Sequence, residues 1–422
     1  MPITTTKEIN EVLRNKIKTE KSVRVSNLDG QDCVAVNLAK DVIINVEGKA
    51  GDFFAAYNKG ATLILKGSAG KEIGYKMGSG NIIIVGDVAS IGEFKGGNIF
   101  VSGEVKDKTN VKLEDLDENE LAQVSNFIKE KEILGSLKKV GIIKKERGRA
   151  ALGKPATYSL DELLLIKEQF ESKGEVDITF KFGNLSFATP VFLAAQAPSS
   201  GFAYAGCLAN SFSICKSIEE IELVKSNKGV VFAQWPEVES LEDCDAVIVA
   251  HENPKALELV RELTYYHKPV IAKIATKNIY EGAKQALAYK PEGIAIDSSY
   301  FPVIGAIAPA KRAISELNSD AKLLVFANLK NAEDILKIIA LGADAVGLVL
   351  EEKAGDWKIV GEVIANMLKK LAIELKAQLI MTGVSSLEEL STENLRALSY
   401  NTAAITGVKL LGYERVLPFW EY

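Results

Sequence analysis

Short apolar runs recur along the chain, and between residues 30 and 103 each run is closed by a glycine. The runs at 42–46, 62–65, 81–85 and 98–101 lead into Gly48, Gly67, Gly86 and Gly103. Counted from Gly30, these glycines are 18, 19, 19 and 17 residues apart, and further glycines (Gly51, Gly60, Gly70, Gly78, Gly80, Gly96, Gly97) mark turns. A unit this short buries no core alone and must stack on its neighbours. Strand, glycine turn and strand at this period predict a β-helix, right- or left-handed. Glycine suits its corners because it reaches φ > 0 and lets adjacent coils approach closely. A phosphate loop would need one glycine cluster between a strand and a helix. Here the glycines are periodic and no helix follows.

From residue 190 the pattern changes to short apolar strand, then amphipathic helix, repeated. The runs at 191–195, 211–215, 230–234, 246–250, 270–274, 293–297, 323–327 and 345–350 read as strands. Helical stretches lie between them, among them 254–266, 279–289 and 331–341. Continuous β-branched runs suit strands buried on both faces. Eight such units predict a compact (βα)8 barrel, a TIM barrel, with the alternating segment 177–187 closing its floor. Between the two patterns, residues 111–150 pass from an acidic, helix-favouring stretch to a basic one ending Lys144-Lys145-Glu146-Arg147-Gly148-Arg149. Without interleaved aromatics this reads as a solvated connector. Ser159, with Glu162 three residues on, predicts a helix start. The expected organisation is a helical segment at 1–21, a β-helix at 22–110, a helical and basic linker at 111–174, the barrel at 175–385 and an extension packing on it at 386–422.

Composition narrows the function classes. The 422 residues are too many for one ordinary core. Lys+Arg 51 against Asp+Glu 56 gives a net charge of -5, which argues against nucleic acid as a partner. No apolar run approaches the ~20 residues of a membrane span. The start Met1-Pro2-Ile3-Thr4 lacks a signal-peptide order, so a cytoplasmic protein is expected. Four cysteines (Cys33, Cys207, Cys215, Cys244) form no C-x-x-C, and the two histidines are His251 and His267. No metal centre or iron–sulfur cluster is expected. Many Lys, Glu and Ile beside few Gln and His lean toward a thermophile.

In a (βα)8 barrel the chemistry sits at the C-terminal strand ends. Those ends carry Gln196, Lys216, Gln234, His251 with Glu252, Lys273, Asp297 with Ser298, Asn328 with Lys330, and Glu351. Lys273 stands out within Pro269-Val270-Ile271-Ala272-Lys273-Ile274. A lysine in an apolar strand either faces the barrel mouth or suffers a large desolvation cost.

Both regions resemble one family. Gly60-Ala61-Thr62-Leu63-Ile64-Leu65-Lys66-Gly67 and Gly78-Ser79-Gly80-Asn81-Ile82-Ile83-Ile84-Val85-Gly86 are similar to the G-x-G-x-G β-helix domain of the glutamate synthase large subunit, which also occurs in formylmethanofuran dehydrogenase. Phe187-Ala188-Thr189-Pro190-Val191-Phe192-Leu193-Ala194-Ala195, the Lys273 strand and Ala340-Leu341-Gly342-Ala343-Asp344-Ala345-Val346 resemble that family's FMN-binding barrel. The tail around 367–375, 387–390 and 406–408 is also family-like. The order is reversed here, with the β-helix first. The resemblance implies that Lys273 contacts a flavin, with Gly305, Asn328 and Lys330 at the positions of the family's flavin-binding loops.

The departures weigh against that chemistry. Pro302-Val303-Ile304-Gly305-Ala306 keeps two residues of the family's Gly-Gly-Thr-Gly-Ala. Ala327-Asn328-Leu329-Lys330 stands where Gly-Gly-Ile-Arg would grip the FMN phosphate, and the phosphate-binding glycine after the eighth strand is replaced within Gly347-Leu348-Val349-Leu350. Side chains obstruct a cradle of bare N–H groups. The family's cysteine cluster and N-terminal cysteine nucleophile are absent. The expectation is a glutamate-synthase-like protein with a degenerate FMN barrel and no cofactor. It would be a non-catalytic structural or regulatory subunit in amino-acid nitrogen metabolism, homo-oligomeric or in complex with glutamate synthase or amidotransferase subunits. The alternative is an active FMN-dependent oxidoreductase, a glutamate synthase or N-methylglutamate synthase subunit, with His251, Lys273 and Asp297 as candidate catalytic residues. A third possibility is a different small-molecule ligand at the same mouth.

Overall fold

The structure, a computed structural model, describes residues 5–39, 41–143, 159–167, 176–274, 276, 278–297, 303–329, 331–350 and 355–413. The chain divides into two units, Met1–Ala150 with Arg261–Tyr265, and Ala151–Val260 with Tyr266–Tyr422.

The first unit is a ladder of stacked strands. Ser22–Gln31, Ile43–Ala50, Lys59–Lys66, Ser79–Val85 and Asn98–Val101 pair in that order, all parallel. The register follows the repeat: Val23, Ile44, Leu63, Ile82 and Ile99 stand in one column, each buried. Val46, Leu65, Ile84 and Val101 form the next inward column. A second parallel pair, Val88–Ser90 with Val105–Asp107, repeats the 17-residue spacing. The corners are not all glycine. Cys33, Ala35 and Asn37, then Phe53, Ala55 and Tyr57, have positive φ at matching places after successive strands. Coil-to-coil bonds such as Cys33 N–H to Asp52 O (2.7 Å) and Phe53 N–H to Lys71 O (2.8 Å) offset this local strain.

Both ends of the ladder are covered. At one end lies the helix Thr6–Lys16, capped by Thr5 and Glu8. Its buried Asn10 donates to Cys33 O and accepts from Ala35 N–H, both at 2.8 Å, as the peptide of a further coil would. At the other end the stretch expected as a connector carries strands. Val111–Asp115 and Lys138–Ile142 pair antiparallel, and Lys138–Ile142 also runs antiparallel to Asn98–Val101. The helices Glu118–Ser125 and Lys131–Ser136 lie between these strands in sequence. Val124, Ile128 and Leu137 from this stretch pack on Ile64, Ile83 and Phe100, covering the ladder's outer face. Residues 111–143 therefore complete the first unit, while the basic run 144–150 lies outside the described residues.

The second unit contains a closed barrel of eight parallel strands: Val191–Ala195, Ser213–Cys215, Val231–Trp235, Ala246–Val249, Val270–Ile274, Gly293–Asp297, Lys322–Ala327 and Ala345–Leu350. The first strand closes on the eighth, Val191 opposite Val346. Phenylalanines fill the axis. Phe192 stacks on Phe212 at 4.5 Å, and Phe212 on Phe232 at 4.0 Å. Gly347 has no side chain because a Cβ there would lie 2.5 Å from the Phe192 ring. The hairpin Phe180–Phe182 with Leu185–Phe187 adds Phe180, Phe182 and Phe187 to this cluster, as its alternation predicts. The helix expected after Ser159 is a single 3-10 turn, Leu160–Glu162, and then a strand, Leu163–Leu165, that pairs with Leu395–Ala397. No helix of the described residues is long and apolar enough to cross a membrane.

Candidate functional site at the barrel mouth

Alternation along each strand decides what reaches the mouth. Ile214, Phe232, Ile271 and Ala295 belong to the axial cluster. Two residues further on, on the same face, stand Lys216, Gln234, Lys273 and Asp297. The apolar plug is thus topped by a polar layer drawn from the second, third, fifth and sixth strands. Lys273 lies opposite Ala295, so Asp297 is its diagonal neighbour on the adjacent strand. Their charges meet: Lys273 Nζ is 2.9 Å from Asp297 Oδ2, with both side chains 13% exposed. The same ammonium lies 5.4 Å from the Phe326 ring centroid. Gln234 donates to Glu237 Oε1 at 2.9 Å.

Lys216 is the second cation of this layer. Its Nζ donates to the carbonyls of Ala195 (2.6 Å) and Gln196 (3.0 Å) at the end of the first strand. Burial first, and then the nearby charge of Lys273, hold it below the usual lysine value. Its backbone is fixed by Glu220. That buried carboxylate accepts N–H bonds from Lys216 (2.6 Å), Ser217 (3.0 Å) and Ser199, tying the loops after the first two strands together. Burial pushes Glu220 above 4.5, against those bonds. Between 4.5 and the raised value the folded chain binds more protons than the unfolded one, so this group's contribution to stability falls as pH rises through that window. Glu220→Gln should remove this slope. Denaturant unfolding of both proteins from pH 4 to 8 checks it, and parallel curves would refute the assignment.

The other expected site residues are placed differently. His251 lies beyond the fourth strand, its Nδ1 accepting from Asn253 N–H at 3.1 Å. Its ring is 5.6 Å from that of Trp235, which alternates with Gln234 and so belongs to the outward face. Asn328 is exposed at the end of the seventh strand. Gly305 lies in the first turn of the helix Val303–Glu316, where an added Cβ would meet nothing nearer than Ile405 at 4.0 Å. Lys330, Ser298 and Glu351 lie outside the described residues. The strand register brings Lys273 and Asp297, two separate candidates, into one ion pair. Glu220 was missed, although the spacing Ser217-x-x-Glu220 is a capping-box signal.

An FMN-binding barrel must hold a phosphate near its seventh and eighth strand ends. The helix after the seventh strand, Ala332–Ala340, is capped by Asn331, whose side chain accepts from Asp334 N–H, and carries Glu333 and Asp334 in its first turn. The helix after the eighth, Trp357–Met381, is capped by Asp356. The Asn331 amide oxygen and the Asp356 carboxylate each occupy one helix-start amide. Asp356 would also repel an incoming phosphate, whereas Glu333 is paired with Lys167 and Lys337. These two described helix starts, each with an amide already occupied, do not fit a phosphate. Among the described residues no group of three or more His, Cys, Asp or Glu could hold a metal ion.

No protein-family model matches the chain. Solved structures that resemble it include the flavin-binding domain of baker's yeast flavocytochrome b2 at 16% identity, TM-score 0.45, covering 56% of this chain and 76% of that one. Mandelate oxidase variants are also similar. One is 18% identical with TM-score 0.44, covering 54% of this chain and 86% of that one, and another was solved with an FMN adduct. These likenesses are distant.

Proposed function

We propose that this chain is a β-helix joined to a flavin-type (βα)8 barrel, of the build the glutamate synthase resemblance implies. Its mouth receives a small anionic ligand at Lys216 and Lys273 rather than FMN held by its phosphate. The parallel ladder at a spacing of 17 to 21 residues supports the β-helix reading. One observation carries the functional reading: the Lys273–Asp297 pair held over an aromatic floor, with Lys216 on the same layer. Desolvating two charges is costly, and a barrel serving only as a spacer gains nothing from it. The role that follows is a ligand-binding or regulatory subunit in amino-acid nitrogen metabolism, in the cytoplasm.

A second reading, an FMN-dependent oxidoreductase, is favoured by the inward position of Lys273 on the fifth strand. Titration separates the two. Charge-assisted bonds to a phosphate contribute about 1.5–3 kcal/mol each, so a working cradle binds FMN far more tightly than riboflavin. The first reading expects colourless purified protein, FMN and riboflavin equally weak by calorimetry, and saturable binding of a dicarboxylate such as glutamate or 2-oxoglutarate. Stoichiometric yellow flavin, or strong preference for FMN over riboflavin, would establish the second reading instead.

A further inference from the structure

Lys216 and Lys273 share the polar layer at the mouth but differ in how their amino groups are held. Lys273 is paired with Asp297 at 2.9 Å. That pairing uses one of its N–H donors and leaves the others for a ligand carboxylate. Lys216 has no carboxylate partner among the described residues. Its Nζ instead meets two backbone carbonyls, Ala195 O at 2.6 Å and Gln196 O at 3.0 Å. Two acceptors match a neutral amine, which has two N–H groups to donate. With both donated, the nitrogen lone pair points away from the end of the first strand. The ammonium form carries a third N–H, for which the described residues offer no acceptor. Burial, and then the charge of Lys273, outweigh the pull of Glu237, Asp297 and Glu220 and hold Lys216 below the usual lysine value.

A desolvated amine beside a second cation is the arrangement that makes a lysine nucleophilic. A 2-oxo acid suits both groups at once: its carboxylate pairs with Lys273, and its ketone carbon is open to the Lys216 nitrogen. We propose that Lys216 forms an imine with a 2-oxo acid whose carboxylate is held by Lys273. This rests on the anion reading of the mouth and adds a covalent step to it. A C–N bond forms as the nitrogen lone pair adds to the ketone carbon, and the carbonyl π electrons move to oxygen. The C–O bond then breaks and the oxygen leaves as water. Counted from the ammonium form, two protons pass from nitrogen to that oxygen, and the products are a protonated imine and water. Charge and atoms balance, and nothing is oxidised or reduced.

Trapping with cyanoborohydride tests this, because hydride turns a protonated imine into a stable secondary amine. The full chain is incubated with 2-oxoglutarate and reductant, digested and mapped by mass spectrometry. The expected result is a dominant adduct on Lys216, slowed by excess glutarate, which carries both carboxylates without the ketone. Lys216→Arg keeps the charge and the donors but forms no imine, so it should lose that adduct while retaining the wild-type circular dichroism. Lys273→Met should slow the labelling of Lys216 roughly ten- to a hundred-fold. The wild-type map decides by itself, so the test does not depend on either variant folding. Labelling spread over other lysines as fast as over Lys216, or centred on Lys273, overturns the proposal. Calorimetry on the same protein separates the two readings. Saturable 2-oxoglutarate binding with Lys216 unlabelled defeats the imine and leaves the anion reading standing, whereas neither binding nor adduct defeats both.

Discussion

Gly67→Ala should remove a large share of the stability of the first unit. Gly67 has φ +151°, and a Cβ built there would lie 1.9 Å from the carbonyl oxygen of Gly48. Gly48 repeats the geometry one coil earlier, 2.2 Å from Leu28 O, and Gly86 one coil later, 2.5 Å from Gly67 O. These glycines form a column in which each backbone rests on the last. A methyl group can be admitted only by separating coils whose Val46–Leu65 pairing fixes their spacing. The unfavourable backbone conformation and the overpacking together cost about 3–5 kcal/mol, against a typical total of 5–15. Gly78 is the control, since it has nothing within 4 Å of an added Cβ. Gly78→Ala should stay within about 1 kcal/mol of wild type. Denaturant unfolding followed by circular dichroism measures both. A Gly67→Ala protein as stable as the control would show that the column does not set the coil spacing.

Lys273→Met should weaken anion binding at the mouth roughly ten- to a hundred-fold and also cost stability. The sequence alone suggests that this lysine supplies charge and no packing, so that its loss would leave the fold untouched. The ion pair to Asp297 changes that expectation. Removing one partner of a fully buried pair costs about 3–5 kcal/mol, and the partial exposure here lowers this to about 1–3. The lost charge-assisted bond should weaken a bound carboxylate by about 1.5–3 kcal/mol, roughly ten- to a hundred-fold. The double variant Lys273→Met/Asp297→Asn separates the two effects. It should recover stability, because no charge is left facing the missing lysine, without recovering binding. Thermal melts and calorimetry with the dicarboxylate series report them independently. Ligand affinity unchanged in Lys273→Met would assign the lysine to structure.

The barrel is legible in the sequence because its strands are buried on both faces, which demands unbroken apolar runs. All eight expected strands form, with ends moved by one residue at most, except that the second starts at Ser213, two residues later than expected. The ladder is legible because glycines recur every 17 to 19 residues, in step with the 17- to 21-residue register of the paired strands. The antiparallel closure is not, because Lys138 and Lys139 read as solvent-facing connector. They are strand residues because Asp115 and Glu120 come to meet them from more than eighteen positions away, as ion pairs. At the mouth, strand-end position marks Lys273 and Asp297 as candidates, and strand register makes them a pair. His251 occupies an equally promising position in sequence, but it accepts from Asn253 N–H in its own loop and lies beside Trp235. Such loop geometry has no periodic signature.

The two covered ends of the ladder also bear on how the protein avoids forming fibres. Stacked parallel coils are an open-ended pattern, and an exposed terminal coil would template the next molecule without limit. Asn10 occupies the hydrogen-bonding groups of Cys33 and Ala35 on the first coil. At the last, Lys138–Ile142 reverses the strand direction, so a further parallel coil finds no matching register. Losing either cover should convert a monomeric ladder into a seed for polymer growth, a failure that thioflavin fluorescence would reveal long before any change in the barrel.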